Sequence, residues 1–200
     1  MAEEEKKEMQ EQSWQKSVML YLHDLTILLA VILITFTVLF RIVVVSGSSM
    51  YNTLLDGDWL MILSSNVVGK PEYGDIIVAS KDSFNNGEPI IKRVIATEGQ
   101  TVDIDFEQGI VYVDGVALEE DYIYSPTTDD EGMDFPLVVE EGCVFAMGDN
   151  RGRSSDSRNP AIGLIDRREI LGKAFFLVFP GMGEVPFVGE RDFDRIGALK

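Results

Sequence analysis

Residues 25–45 read LTILLAVILITFTVLFRIVVV, and residues 46–50 continue SGSSM. From Leu25 to Phe40 there is no charge, and Arg41 stands near the end, where a long side chain can snorkel to a polar boundary. About 20 apolar residues suffice to cross a bilayer as a helix, so 25–45 is predicted to span one. A cleaved secretory signal is the other reading, because Ser46 and Ser48 are small residues of the kind found at processing sites. The run exceeds a signal's short hydrophobic region, and the segment before it is long and mostly acidic, which favours an uncleaved anchor. The chain then divides into a tail at 1–24, the anchor at 25–45, a body at 46–180 and a C-terminal tail at 181–200.

Orientation follows from basic residues beside the span. Lys6, Lys7 and Lys16 precede it, whereas no Lys or Arg occurs from Ile42 to Gly69. The tail is expected in the cytoplasm and the body outside it, on a single-pass cell-membrane protein. From Ile42 to Lys200 there are 13 basic and 28 acidic residues, which excludes the basic footprint that a nucleic-acid partner requires. Cys143 is the only cysteine, so no intramolecular disulfide is possible, and a small buried hydrophobe is the expected role.

Beyond the span, short β-rich runs alternate with turn residues. Strands are predicted at Trp59–Leu63, Asp75–Ala79, Ile90–Ala96, Gly109–Val113, Cys143–Met147 and Ile170–Phe179. Asp114-Gly115 signals a hairpin, because both positions tolerate positive φ. No later run keeps a helical period, so the body is read as mainly β with antiparallel pairing. Residues 119–141 are acidic and turn-rich; they fit no EF-hand spacing and read as a solvated loop, within a smaller appended β region at about 100–142.

The residues exclude much chemistry. His23, the sole histidine, lies on the far side of the span from the body. Neither a zinc site of usual composition, nor a Cys–His nucleophile, nor a Ser-His-Asp triad can therefore be assembled there. No metal or other cofactor is expected. A serine paired with a lysine remains. A neutral lysine can take a serine proton if burial lowers its pKa from about 10.4 toward 7–8. On a strand, Ile90, Lys92 and Val94 share one face, while Ile91, Arg93 and Ile95 share the other. Periodicity alone favours an edge-strand lysine facing water at 92, and 46–49 reads equally well as a plain Ser/Gly linker. Gly47 leaves room for close backbone approach, so amides of this turn are candidate oxyanion donors.

Taken together, the motifs resemble type I signal peptidase, the membrane-bound Ser/Lys endopeptidase family that removes signal peptides from exported proteins. Ser46–Leu54 resembles its nucleophile box, in which serine precedes methionine, and Tyr73–Val78 resembles the box where Gly-Asp opens a core strand. Ile91-Lys92-Arg93-Val94-Ile95 resembles the general-base box. Gly148-Asp149-Asn150-Arg151, then Ser154, Asp156-Ser157-Arg158 and Gly163, resembles the last box. The resemblance implies Ser49 as nucleophile, Lys92 as base and Ser154 as the hydroxyl that orients the amine. It also implies Asp156 and Arg158 as a structural salt bridge with Arg93 in the same network. Backbone amides at Gly47 and Ser49, chiefly Ser49, would form the oxyanion hole. Asn52 stands where the family usually has proline, which predicts a softer turn. The implied partners are signal-bearing preproteins and the lipid bilayer. A dedicated pilin-type enzyme and a non-catalytic anchored β module are the alternatives.

Overall fold

The computed structural model describes residues 2–182 and 191–199. Met1, 183–190 and Lys200, and with them part of the expected tail at 181–200, lie outside the described residues. Two compact units result, 1–39 and 40–200.

The first unit is one helix, α1 (Ala2–Leu39). Its segment Trp14–Leu39 is 26 residues long and none of its most apolar window is buried. At 1.5 Å per residue, such a segment exceeds the ~30 Å of a hydrocarbon core. Leucine and isoleucine side chains are exposed throughout it. A helix that is apolar all round and unburied by protein fits a membrane anchor.

The helix stops short of the predicted Val45. Phe40–Val44 forms strand β1, hydrogen-bonded along its whole length to β2 (Trp59–Ser64), with Phe40 opposite Leu63 and Val44 opposite Trp59. The β-branched Ile42-Val43-Val44 suits a strand as well as a membrane, and hydropathy alone does not separate the two.

Ten further strands follow among the described residues. They are β3 (Ile76–Ala79), β4 (Ile90–Thr97), β5 (Thr101–Asp105), β6 (Ile110–Val113), β7 (Val116–Ala117) and β8 (Leu137–Val138), then β9 (Cys143–Met147), β10 (Ile165–Asp166), β11 (Ile170–Phe179) and β12 (Gly197–Ala198). The larger sheet runs β1-β2-β11-β3-β4-β9-β10 with β12 on β11, and every pair is antiparallel. A second sheet, β7-β6-β5-β8, holds the segment between β4 and β9. Asp114 (φ 53°) and Gly115 (φ 77°) make the tight turn between β6 and β7. One core of the larger sheet gathers Met50, Leu54, Leu60, Ile62, Val78 and Leu177. Another joins Phe145 and Met147 of β9 to Val102, Ile104 and Val111 of the second sheet, fixing the appended region beside the end of β9. Cys143 packs partly buried at its margin.

Residues 195–198 return to the body. Arg195 grips the fully buried Asp58 through both carboxylate oxygens (2.9 and 2.6 Å), and β12 adds to β11.

Candidate active site

Ser49 lies in the connection between β1 and β2. Its base is closed by Val45 N–H donating to the Asp58 carbonyl (2.8 Å) and Gly57 N–H donating to the Val45 carbonyl (2.9 Å). Met50 and Leu54 anchor it in the core, and Leu54 N–H donates to the Met50 carbonyl at 2.8 Å. Asn52 is exposed within this turn, which closes without proline's fixed φ. Gly47 adopts φ +87°, a left-handed conformation that suits glycine, and a Cβ there would meet nothing within 4 Å. Its N–H donates to Asp56 Oδ1 (2.8 Å), so that amide is already committed. Glycine at 47 answers a backbone requirement and does not itself offer an oxyanion donor.

Lys92 is held on β4 opposite Ile77 of β3. On the other side, the pairing of β4 with β9 ends at Arg93 opposite Met147. Beyond Met147 the chain leaves the sheet as the loop 148–158, which covers the end of the ladder. Lys92 is consequently only 4% exposed, and Nζ lies 2.9 Å from Ser49 Oγ. The water-facing alternative does not hold. Burial pushes the amine down to about 8, against the upward pull of Asp156, Glu131 and Asp149, while Arg158 adds to the lowering.

The loop 148–158 also grips the serine turn. Asn150 N–H donates to the Ser49 carbonyl (2.9 Å), and Asn150 Nδ2 donates to the Ser48 carbonyl (3.0 Å). A Cβ at Gly148 would meet Ser154 Oγ at 2.2 Å and the Ser49 carbonyl oxygen at 2.4 Å. Gly148→Ala is therefore expected to push the serine turn away from Lys92. Destabilisation of about 1–3 kcal/mol, typical of overpacking, should accompany a cleavage rate roughly 10²-fold lower. Thermal denaturation and a peptide-cleavage assay read the two effects separately.

Ser154 corrects an expectation. It is buried beside Gly148, but its hydroxyl has no hydrogen-bond partner among the described residues, so it does not hold the Lys92 amine. The amine is turned to Ser49 Oγ.

Asp156 and Arg158 form a pair in which both side chains are fully buried. Arg158 Nε donates to Asp156 Oδ1 and Nη2 donates to Oδ2, each at 2.9 Å. Arg158 Nη2 also donates to the carbonyls of Arg151 and Ser154, while Asp156 Oδ2 accepts from Gly148 N–H, drawing the two ends of the loop together. Arg93 was expected in this network but belongs to a different pair. From the other face of β4 it donates to Asp149 Oδ1 (Nε, 2.9 Å) and Oδ2 (Nη2, 2.8 Å), and Nη1 donates to the Gly74 carbonyl.

A family model described as signal peptidase, peptidase S26, matches residues 18–179. The chain belongs to the S26 signal peptidase family. Among its relatives, a probable signal peptidase I-1 of Synechocystis sp. is 38% identical over 160 residues, covering 74% of this chain and 78% of that one. Signal peptidase I of Bacillus amyloliquefaciens is 37% identical over 71% of this chain and 75% of its own. Signal peptidase I T of Bacillus subtilis is 35% identical over 84% of each.

In this S26 family member most carboxylates of the acidic segment are exposed, as its composition suggested, but Glu120 and Glu131 are drawn in. Its residues meet all three arginines around the site. The Tyr122 ring lies 4.2 Å from the Arg93 guanidinium. Glu120 accepts from both terminal nitrogens of the fully buried Arg151 (3.1 and 2.6 Å). The Asp129 carbonyl accepts from Arg158 Nη1 (2.9 Å), and Glu131 pairs with Arg158 Nη2 at 3.0 Å. One signal was available in the sequence. In the last two motifs Arg93, Arg151 and Arg158 outnumber Asp149 and Asp156, and a buried arginine needs an anion.

Proposed function

We propose that Ser49 is the nucleophile and Lys92 the general base of an endopeptidase that removes signal peptides from exported preproteins. The observation that carries this reading is the 2.9 Å approach of a buried, easily deprotonated amine to one hydroxyl. Neutral Lys92 takes the Ser49 proton as Oγ bonds to the scissile carbonyl carbon. The resulting ammonium then protonates the leaving amine as the C–N bond breaks. Regenerated amine activates the water that hydrolyses the acyl-enzyme. The Ser49 N–H is the oxyanion donor in this scheme, since the Gly47 N–H is occupied by Asp56. Substrate binds extended in the cleft of about 420 Å³ lined by Val44, Ser46, Pro89, Ile91 and Lys92. Backbone hydrogen bonds hold it there, with Ala-like side chains at −1 and −3 in shallow pockets. The N-terminal helix anchors the enzyme in the cell membrane, tail inward and sheet outward, where precursors emerge from the bilayer.

Incubation of the purified protein with a signal-bearing precursor tests this directly. Wild type should release the mature chain at a single site, read by mass spectrometry, and Ser49→Ala should release none. Cleavage that survives Ser49→Ala overturns the assignment. A wild type that cleaves no precursor returns the non-catalytic module.

A further inference from the structure

We propose that Glu131, supplied by the acidic segment rather than by the catalytic motifs, is a positioning residue that sets the protonation of Lys92 through Arg158. This rests on Lys92 acting as the base.

Three observations carry it. The first is placement. Glu131 is only 14% exposed and its carboxylate lies 3.0 Å from Arg158 Nη2, the nitrogen that also holds Asp156 and the carbonyls of Arg151 and Ser154. The carboxylate thus completes the shell around the cation that shapes the loop over Lys92. The second is backbone investment. Glu131 adopts φ +49°, unusual for a residue with a side chain, and its N–H donates to Asp129 Oδ1 (3.1 Å). The Asp129 carbonyl in turn accepts from Arg158 Nη1, so the segment is tied to the same guanidinium twice. The third is charge. Lys92 feels Asp156, Glu131 and Asp149 as anions and Arg158 as a cation, whereas Glu131 itself faces Asp156, Arg158, Asn159 and Asp129. Burial, then Asp156, raises Glu131 to about 7, so it changes charge just below the range where Lys92 does.

The sign follows. An ionised Glu131 favours the ammonium form of Lys92 and offsets Arg158. Glu131→Gln removes that anion and leaves more of the Arg158 charge acting on the amine, and both effects lower the Lys92 pKa. The alkaline rise of the cleavage rate should then move to lower pH by about half a unit, with roughly threefold more neutral amine below the midpoint.

The experiment is a pH–rate profile of the full-length protein in detergent on a signal-bearing precursor, for wild type, Glu131→Gln, Glu131→Asp and Glu120→Gln. The inference expects a downward shift for Glu131→Gln and a midpoint nearer wild type for Glu131→Asp, which keeps the charge. Glu120→Gln loosens the same segment at Arg151 without touching the groups around Lys92, and should lower the rate with the midpoint unmoved. A Glu131→Gln midpoint equal to wild type overturns the inference, as does an equal shift in Glu120→Gln. Lys92→Met run in parallel separates the two levels. If that variant keeps wild-type activity, the base assignment fails and Glu131 falls with it. If it is inactive while Glu131→Gln stays unshifted, only the role of Glu131 is lost.

Discussion

Lys92→Met should give a protein that cleaves about 10³-fold more slowly than wild type yet is harder to unfold at neutral pH. The first effect follows from the loss of the group 2.9 Å from Ser49 Oγ. The second follows from burial. In the unfolded chain the amine holds its proton up to 10.5, whereas in the fold it releases it near 8. Between those values the unfolded chain binds more protons, so wild-type stability rises with pH across that window. Below it the full penalty applies, about 3 kcal/mol for two to three pKa units. Methionine of similar length carries no such penalty. The variant's advantage in chemical denaturation should be greatest at pH 7 and shrink as pH climbs from 8 toward 10.5. A variant that is less stable than wild type at pH 7 would show that the amine is not strained by burial.

Arg93→Met should be the most destabilising single change at the site, by about 3–5 kcal/mol, because it strands a buried carboxylate. Asp149 is 0% exposed and would keep the Thr53 hydroxyl as a side-chain donor in place of the two guanidinium bonds. The penalty belongs to the unpaired charge rather than to the lost pair. Arg93→Met combined with Asp149→Asn should therefore recover a large part of it, although each change alone is harmful. Urea denaturation of the two single variants and the double variant closes this cycle. Strictly additive losses would mean that Arg93 acts through packing on Tyr122 and not through Asp149.

Much of this could be read before any coordinates. The strands at Cys143–Met147 and Ile170–Phe179 coincide with the predicted runs, since each is a long apolar stretch bounded by turn residues. β5 was legible but not read: Val102 and Ile104 are buried while Asp103 is exposed, a clean alternation within Thr101–Asp105. The two-residue strands β8, β10 and β12 offer no period to detect and arise only from tertiary pairing. At the site, the motifs named Ser49 and Lys92, and alternation along β4 put Arg93 on the opposite face. Which carboxylate answers which arginine was beyond a linear reading. Asp149 is 56 positions from Arg93, and Glu120 is 31 from Arg151. Such pairings depend on where the second sheet delivers its connecting segment. The partner of the Ser154 hydroxyl was out of reach for a similar reason, because a motif fixes a residue's identity and not what its side chain meets.

The junction at Leu39–Phe40 bears on how the sheet unit of this peptidase is separated from its apolar helix. Hydropathy alone suggests trimming after Val45, but that cut would delete the whole of Phe40–Val44 and lay the flank of Trp59–Ser64 open to solvent and to other chains. A detergent-free version has its natural starting point at Phe40, with the edge ladder retained and only the helical unit 1–39 removed.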